Sequence, residues 1–145
     1  NLVYSVHFYE PVNLTHQGLF EIPLGASYPG LIKVGGGLPV LWDKAKLSSL
    51  LEPIRAFSAT YQVPIYVGEF GCIRWVPGSS ATAYINDLLE LFEKEGWAWT
   101  FHAYRQWQGW DPEITGPSTD EWLRSASSPM MSLLKQYLLA DPVAK

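Results

Sequence analysis

Residues 63–70 read Val-Pro-Ile-Tyr-Val-Gly-Glu-Phe, a run of β-branched and aromatic residues that predicts a β-strand. A helical pattern precedes this strand over residues 43–61, and a second helical pattern follows it over residues 79–95. A strand that alternates with helices is the repeating unit of a parallel sheet with right-handed crossovers. The stretch therefore predicts an α/β fold.

The ends of both helices carry recognisable signals. Asp43 is the predicted N-cap of the first helix, and Pro53 is expected to kink or interrupt that helix. Ser79 or Ser80 caps the second helix, and Gly96 supplies its C-terminal stop. These signals place the strand between two well-bounded helices.

Outside this unit the same pattern continues in both directions. Strands are predicted at residues 2–9 and 97–102, and a last helix is predicted at residues 128–139. Two long loops, residues 10–39 and 105–128, follow strands, whereas the loops that follow helices are short. In a βα barrel the long loops that bear the chemistry follow the carboxyl ends of the strands. The asymmetry indicates part of such a barrel.

Composition excludes several classes of protein. The chain has 145 residues, 48% hydrophobic and 17% charged, which suits one domain with a core and excludes a disordered segment. It has no run of about 18 apolar residues, so we expect no transmembrane helix. The net charge is -4 and the lysines and arginines are scattered, which argues against nucleic-acid binding. Aromatic residues make up 14%, which fits either the binding of sugar rings or a large aromatic core.

The first residue, Asn1, begins directly with a strand-like run. Neither an initiator methionine nor the charged and apolar regions of a signal peptide precede it. We therefore expect the chain to be cut out of a larger protein or processed. Its compartment is not fixed by the sequence.

Polar side chains stand at the ends of all three predicted strands. His7 and Tyr9 end the first strand and, two residues apart, point to the same face. Glu69 ends the second strand and His102 ends the third. Each of these residues alone fits an ordinary structural role, but neighbouring parallel strands bring their tips to one rim. Together they predict a site, with the Tyr9 hydroxyl in hydrogen-bonding reach of Glu69.

Other kinds of site have weaker support. His7, His16 and His102 lack the close spacing typical of a zinc site. The glycines at residues 35–37 lack the lysine and hydroxyl residue of a phosphate-binding loop, and no Gly-x-Ser-x-Gly elbow occurs. Cys72 is the single cysteine, so no internal disulfide forms, and nothing nearby favours it as a nucleophile.

The motifs taken together resemble the C-terminal part of glycoside hydrolase family 5, which includes endoglucanases on a (β/α)8 barrel. The resemblance covers nearly the whole chain and implies a partial TIM barrel of about three βα units, similar to strands six to eight, in a single domain over residues 1–145. The motifs that carry it are Ser-Val-His-Phe-Tyr-Glu-Pro (5–11), Thr-His-Gln-Gly (15–18), Tyr-Pro-Gly (28–30), Pro-Ile-Tyr-Val-Gly-Glu-Phe-Gly (64–71) and Gly-Trp-Ala-Trp-Thr (96–100).

The resemblance also implies roles for the rim residues. Glu69 would be the catalytic nucleophile of a retaining β-glycanase, with His7 and Tyr9 as the active-site pair of the sixth strand. A retaining glycosidase needs one ionised carboxylate beneath the anomeric carbon, and a tyrosine hydroxyl that donates to Glu69 would keep it ionised and aimed.

The floor of the sugar site is less well defined by the resemblance. The family usually ends its eighth strand with a tryptophan that floors the sugar site, and His102 stands at that position here. Trp99, Trp107 and Trp110 lie close by in the sequence and are the other candidates for substrate binding. Packing of the loop is the alternative role for Trp107 and Trp110.

A second departure concerns the acid that protonates the leaving group. In the family this glutamate follows an asparagine at the end of the fourth strand, and no Asn-Glu pair occurs in this chain. No spacing favours any of the carboxylates predicted in the rim loops as a substitute. These carboxylates are Glu10, Glu21, Asp111, Glu113, Asp120 and Glu121.

The resemblance implies an oligo- or polysaccharide substrate, a secreted protein, and neither a cofactor nor a metal. Three strands alone would leave two sheet edges unpaired, so we expect the chain to be a fragment or a self-assembling subunit that pairs with copies of itself or with a complementary barrel fragment. Two alternatives stay open. One is a non-catalytic carbohydrate-binding remnant of such a barrel, and the other is an unrelated small α/β protein.

Overall fold

The computed structural model describes residues 2–116 and 123–140. Eleven elements lie in these ranges, and helices and strands alternate along much of the chain. In order they are β1 (Tyr4–Phe8), α1 (Val12–Thr15), β2 (Gly30–Ile32), β3 (Val40–Trp42), α2 (Lys44–Tyr61), β4 (Ile65–Phe70), α3 (Ser80–Glu95), β5 (Ala98–Phe101), β6 (Ile114–Thr115), β7 (Leu123–Arg124) and α4 (Pro129–Ala140).

The main sheet contains the three predicted strands in the order β1-β4-β5, and both pairings are parallel. Two short antiparallel pairs, β2 with β3 and β6 with β7, lie outside it. The predicted mixed α/β architecture with a parallel sheet is confirmed. Among the described residues no helix is both long and apolar enough to cross a membrane.

Helix α2 begins and ends close to its predicted limits. The Asp43 carboxylate accepts a hydrogen bond from the backbone N–H of Lys46 at 2.9 Å, so the predicted N-cap is confirmed. The expected interruption at Pro53 is wrong, because the helix runs through it. Pro53 and Ser49, whose carbonyl loses its helical partner to the proline, are both exposed, so water can satisfy that carbonyl.

Helix α3 has Ser79 at its N-cap position but no capping hydrogen bond from that side chain, whereas its C-terminal end and the start of α4 match their signals. Helix α3 ends at Gly96, which adopts the left-handed conformation with φ of 66° that favours glycine. Helix α4 begins with Pro129, and the Ser128 hydroxyl accepts from the Met131 N–H at 3.0 Å. Both predicted ends are confirmed.

The region predicted as one long loop, residues 10–39, is more structured than expected. It contains the short helix α1 and strand β2, and β3 follows at its end. Turn-rich sequence hid these elements, because each is only three or four residues long. The loop after β5 likewise holds the β6–β7 pair.

One face of the sheet packs against the helices. Val67 and Phe70 of β4 are fully buried, and the Phe70 ring meets Phe92 of α3 with centroids 5.2 Å apart. The opposite face carries polar side chains, among them Ser5 and Thr100, which are exposed. The hydrophobic core therefore lies between sheet and helices, and the polar face is uncovered.

A β-bulge in β4 decides which way Glu69 points. Val6 pairs with Val67, but the next residue of β1, His7, pairs with Glu69, so Gly68 is an extra residue. With regular pleating Glu69 would share the helix-covered face of Val67, two residues earlier. The bulge moves Glu69 to the polar face, beside His7.

Candidate active site

Glu69 lies near the carboxyl end of β4, with two side chains from the end of β1. The Tyr9 hydroxyl donates to Glu69 Oε2 at 3.0 Å, as the sequence predicts. His7 Nδ1 lies 3.5 Å from the same oxygen. The Tyr9 hydrogen bond fixes the carboxylate of Glu69. Because the Glu69 side chain is 37% exposed, the carboxylate is still open to a ligand.

Tyr9 is held in its protonated, donating form. Partial burial raises the pKa of its hydroxyl well above the ordinary value, and the hydrogen bond to Glu69 and the charge of that carboxylate raise the pKa further. The hydroxyl therefore stays protonated across the neutral range and offers its proton to Glu69.

Three of the four predicted substrate-binding residues gather around Tyr9. The rings of His102 and Trp110 each lie 6.4 Å from the Tyr9 ring, and they are 5.7 Å from each other. Trp107 adds to this group through Trp110, with ring centroids 5.1 Å apart. The backbone N–H of His102 donates to the Phe70 carbonyl at 2.9 Å, which places His102 at the end of β4.

Trp99 lies elsewhere, and its position does not fit the substrate-binding role predicted for it. It pairs with Val67, so the pleat turns its ring toward the helices, where it lies 5.8 Å from Phe70. Its indole N–H donates to Glu93 of α3 at 2.7 Å. Trp99 is therefore part of the packing between sheet and helix, away from Glu69.

His16 is a member of the site that the sequence did not single out for it. Its ring lies 5.1 Å from both Tyr9 and Trp110, at 73° to each. Helix α1 turns the chain back after β1 and brings His16 behind Tyr9. The Thr-His-Gln-Gly motif was the sequence signal for this residue. Its position beside Tyr9 depends on the four-residue helix α1, which the sequence did not predict.

Two of the candidate replacement acids are ruled out by their surroundings. The side chains of Asp111 and Glu113 are almost fully buried and both bind Arg124, at 2.6 and 2.9 Å. Hydrogen bonds from Arg105 and Arg124 lower the pKa of Glu113 to about 2. A carboxyl group that stays ionised in this way cannot deliver a proton at neutral pH.

The other four candidates are not brought to Glu69 by any contact among the described residues. Glu10 and Glu21 are exposed on the loop after β1, and Asp120 and Glu121 lie outside the described residues. Among the residues that the structure describes, the side-chain partners of Glu69 are Tyr9 and His7, and neither is a carboxylate. Over the same residues, no three His, Cys, Asp or Glu side chains gather into a possible metal site.

The Glu113 ion pairs make stability depend on pH in the acid range. Because the pKa of Glu113 is lowered in the folded state, its contribution is present above the ordinary carboxyl pKa and is lost as the pH falls toward about 2. We expect the melting temperature to fall between about pH 5 and pH 2. In Arg124→Met this acid-dependent fall should be smaller and the melting temperature at pH 7 lower. Equal pH dependence in both proteins would contradict the assignment.

Gly71 permits a close approach between β4 and the end of β5. A Cβ atom at this position would lie 2.3 Å from the carbonyl oxygen of His102, so the backbone of His102 has to move in Gly71→Ala. We expect a loss of about 1–3 kcal/mol of unfolding free energy. Gly36→Ala is the matched control, because its Cβ would meet no atom within 4 Å. Urea unfolding of both variants measures the difference, and equal stability would contradict the expected clash.

No protein-family model matches the chain, and no curated protein matches it. Solved structures do match. A glycoside hydrolase aligns with a TM-score of 0.73 and 23% identity over 94% of this chain and 41% of its own. This chain has the fold of part of a TIM-barrel glycoside hydrolase. Cel5A of Thermotoga maritima bound to cellobiose aligns with a TM-score of 0.67 and 21% identity over 91% of this chain. The cellulose synthase subunit Z of Clostridioides difficile aligns with a TM-score of 0.64 and 20% identity over 91%.

The alignments also give the size of the shared part. This chain spans 39% of the length of the Thermotoga maritima Cel5A chain and 40% of the Clostridioides difficile subunit. The likeness to these proteins is therefore a likeness of one part of their fold.

Proposed function

We propose that this chain carries the nucleophile side of a retaining β-glycoside hydrolase site of the endoglucanase type, with Glu69 as the nucleophile. The observation that supports this most directly is the 3.0 Å hydrogen bond from the Tyr9 hydroxyl to Glu69 on the uncovered face of the sheet. A protonated donor favours the ionised carboxylate, which is the form that attacks an anomeric carbon.

The chemistry of this proposal has two steps. One Glu69 oxygen forms a bond to the anomeric carbon while the bond to the leaving oxygen breaks, which gives a glycosyl ester. Water then attacks the same carbon and releases the carboxylate, so that the sugar keeps its β configuration. Tyr9 and His7 hold the carboxylate in position for the first step, and the proton for the leaving oxygen has to come from another group.

The aromatic side chains beside Glu69 support a sugar as the ligand. His102, Trp107 and Trp110 form a continuous group next to Tyr9, and rings of this kind stack on the apolar faces of sugars. In this proposal they bind an oligo- or polysaccharide beside Tyr9. The solved relatives include complexes with cellobiose and with mannotriose, which are properties of those proteins.

The missing acid and the uncovered sheet lead to a proposal about partners. In the described sheet β1 and β5 have one neighbour each, so each leaves an edge free. We propose that these strands correspond to the sixth, seventh and eighth of a barrel. A complementary barrel fragment or a second copy of the chain would then cover the polar face and supply the acid.

Self-association is the simplest consequence that can be measured. At micromolar concentration we expect the purified chain to sediment as a species larger than one chain, because free strand edges pair readily. A single species of 16.3 kDa would contradict this expectation. Placing a lysine at each edge, as Val3→Lys just before β1 and Ala98→Lys in β5, should weaken the association, since both positions are exposed.

Covalent trapping tests the proposed nucleophile without the missing acid. An aryl glycoside of a 2-deoxy-2-fluoro sugar has a good leaving group and forms a slowly hydrolysed ester with a retaining nucleophile. We expect one sugar to be added to the chain and to map by peptide mass spectrometry to Glu69. Sugar binding seen by tryptophan fluorescence without any labelling would instead favour a carbohydrate-binding remnant.

A further inference from the structure

A buried network lies behind Tyr9, on the side away from Glu69. Thr15 is the last residue of α1 and Gln17 follows it closely, and both are completely buried. The Gln17 side chain donates to two backbone carbonyls and accepts from one backbone N–H, at 3.2, 3.0 and 2.8 Å. The backbone carbonyl of Gln17 accepts a hydrogen bond from the indole N–H of Trp75 at 2.8 Å. The network therefore fixes this segment on both sides of His16.

The hydrogen bonds of Thr15 determine which nitrogen of His16 carries a proton. Thr15 Oγ1 lies 2.7 Å from the Tyr9 carbonyl oxygen, which only accepts, so the single hydroxyl proton is donated there. His16 Nδ1 lies 2.8 Å from the same Oγ1. Because the hydroxyl proton is already used, Nδ1 has to donate to Oγ1. His16 is thus in the Nδ1–H form.

We propose that His16 is a positioning residue for Tyr9, acting through the chain from His16 Nδ1–H to the Thr15 hydroxyl to the Tyr9 carbonyl. This chain fixes the backbone of Tyr9, and the imidazole, packed at 73° against the Tyr9 ring, fixes the side chain. The Tyr9 hydroxyl is thereby kept on Glu69. The role in turnover rests on the proposed function of Glu69, whereas the positioning of Tyr9 does not.

The surroundings of His16 agree with this role. Its ring packs against both Tyr9 and Trp110, with centroids 5.1 Å from each, so it is one of the rings that hold the Tyr9 ring in place. Partial burial lowers the pKa of His16, which keeps the ring neutral near pH 7. A neutral imidazole packed against two aromatic rings does not need an ionic partner.

Two substitutions separate the donor from the shape of the ring. In His16→Asn the amide nitrogen takes the place of Nδ1 and can donate to Thr15. In His16→Phe the ring contact with Tyr9 is kept and the donor is lost. The proposal predicts that the asparagine variant preserves the orientation of Tyr9 and that the phenylalanine variant does not.

The orientation of Tyr9 can be read without any catalysis. The whole chain is labelled with 3-fluorotyrosine, and the fluorine signal of Tyr9 is assigned by its loss in Tyr9→Phe. Glu69→Gln should move this signal, because the hydroxyl loses its charged acceptor. His16→Phe should move it in the same direction, and His16→Asn should leave it near the wild-type position. No movement in His16→Phe, or equal movement in both His16 variants, would overturn the proposal, as would a signal insensitive to Glu69→Gln.

A kinetic measurement addresses the same residue through the proposed function. With an activated aryl glycoside, His16→Phe should lower kcat by about tenfold with KM little changed, because it misplaces a group that acts on the nucleophile. His16→Asn should recover most of that loss. An inactive wild-type chain would count against the role of Glu69, and the fluorine signals would still decide the role of His16.

A second variant guards against a folding defect in His16→Phe. Thr15→Val keeps the volume of the threonine and removes the hydroxyl that joins His16 to Tyr9. If it folds, as judged by near-ultraviolet circular dichroism, it should move the Tyr9 signal as His16→Phe does. A folded Thr15→Val with an unchanged signal would overturn the proposal.

Discussion

Replacing Glu69 by glutamine is expected to remove at least about 10³-fold of any turnover of an activated aryl β-glycoside. The amide is nearly the same size as the carboxylate and can still accept from Tyr9, but it does not attack an anomeric carbon. Initial rates with a nitrophenyl glycoside measure the effect. An activated substrate suits this measurement, because a good leaving group needs little help from a general acid.

The matched control for Glu69→Gln is Glu52→Gln. Glu52 is on the exposed side of α2, where its side chain is 70% exposed and binds Arg55 at 3.1 Å. This variant makes the same chemical change on an exposed helix surface outside the candidate site, so it should keep the full rate. Activity unchanged in Glu69→Gln would remove Glu69 as the nucleophile. Fast cleavage of unactivated glucan would instead show that an acid is present.

Tyr9→Phe is expected to lower the same rate by about 10- to 100-fold. A hydrogen bond to a charged group is worth about 1.5–3 kcal/mol, and phenylalanine removes only the hydroxyl that donates to Glu69. The value should fall at the lower end of this range, because Glu69 is partly exposed and water can replace the donor. Rates of sugar attachment to Glu69 with the fluorinated glycoside measure the first step directly.

Tyr28→Phe provides the comparison for Tyr9→Phe. The Tyr28 hydroxyl also donates to a carboxylate, that of Asp87 on α3, at 2.6 Å. Its loss should affect stability and leave the labelling rate of Glu69 unchanged. If both variants slow the labelling equally, the effect of Tyr9 is one of general stability and its role on Glu69 is refuted.

The helices and the central strand were predictable because each has several independent signals. For α2, a capping aspartate and apolar residues at helical spacing agree, and the structure places its limits within one residue of the prediction. The partnership of Tyr9 and Glu69 was also predictable, since parallel strands end at one rim. Short elements such as α1 were not, because four residues do not show a period.

Three features of the site were beyond sequence patterns for physical reasons. The face of a strand residue follows from the pleat only while pairing is regular, and the extra residue Gly68 breaks that regularity. Trp99 lies close to His102 in the sequence, which suggested a role at the rim, but the pleat of β5 turns the Trp99 ring to the helices. His16 depends on a turn of the chain that no local signal marks.

The bulge at Gly68 adds one residue to β4 without changing the faces on which the flanking side chains lie. Val67 and Phe70 point to the helices and Glu69 points to the polar face, as they would in a regular strand that lacked the glycine. The spacing between the buried valine and the carboxylate is therefore not dictated by the sheet: Glu69 is the second residue after Val67 here and would be the first in a strand without the bulge. Strands of other proteins should be aligned with this one by their pairing partners, with a gap opposite Gly68, because alignment at constant spacing would set Glu69 against the wrong residue.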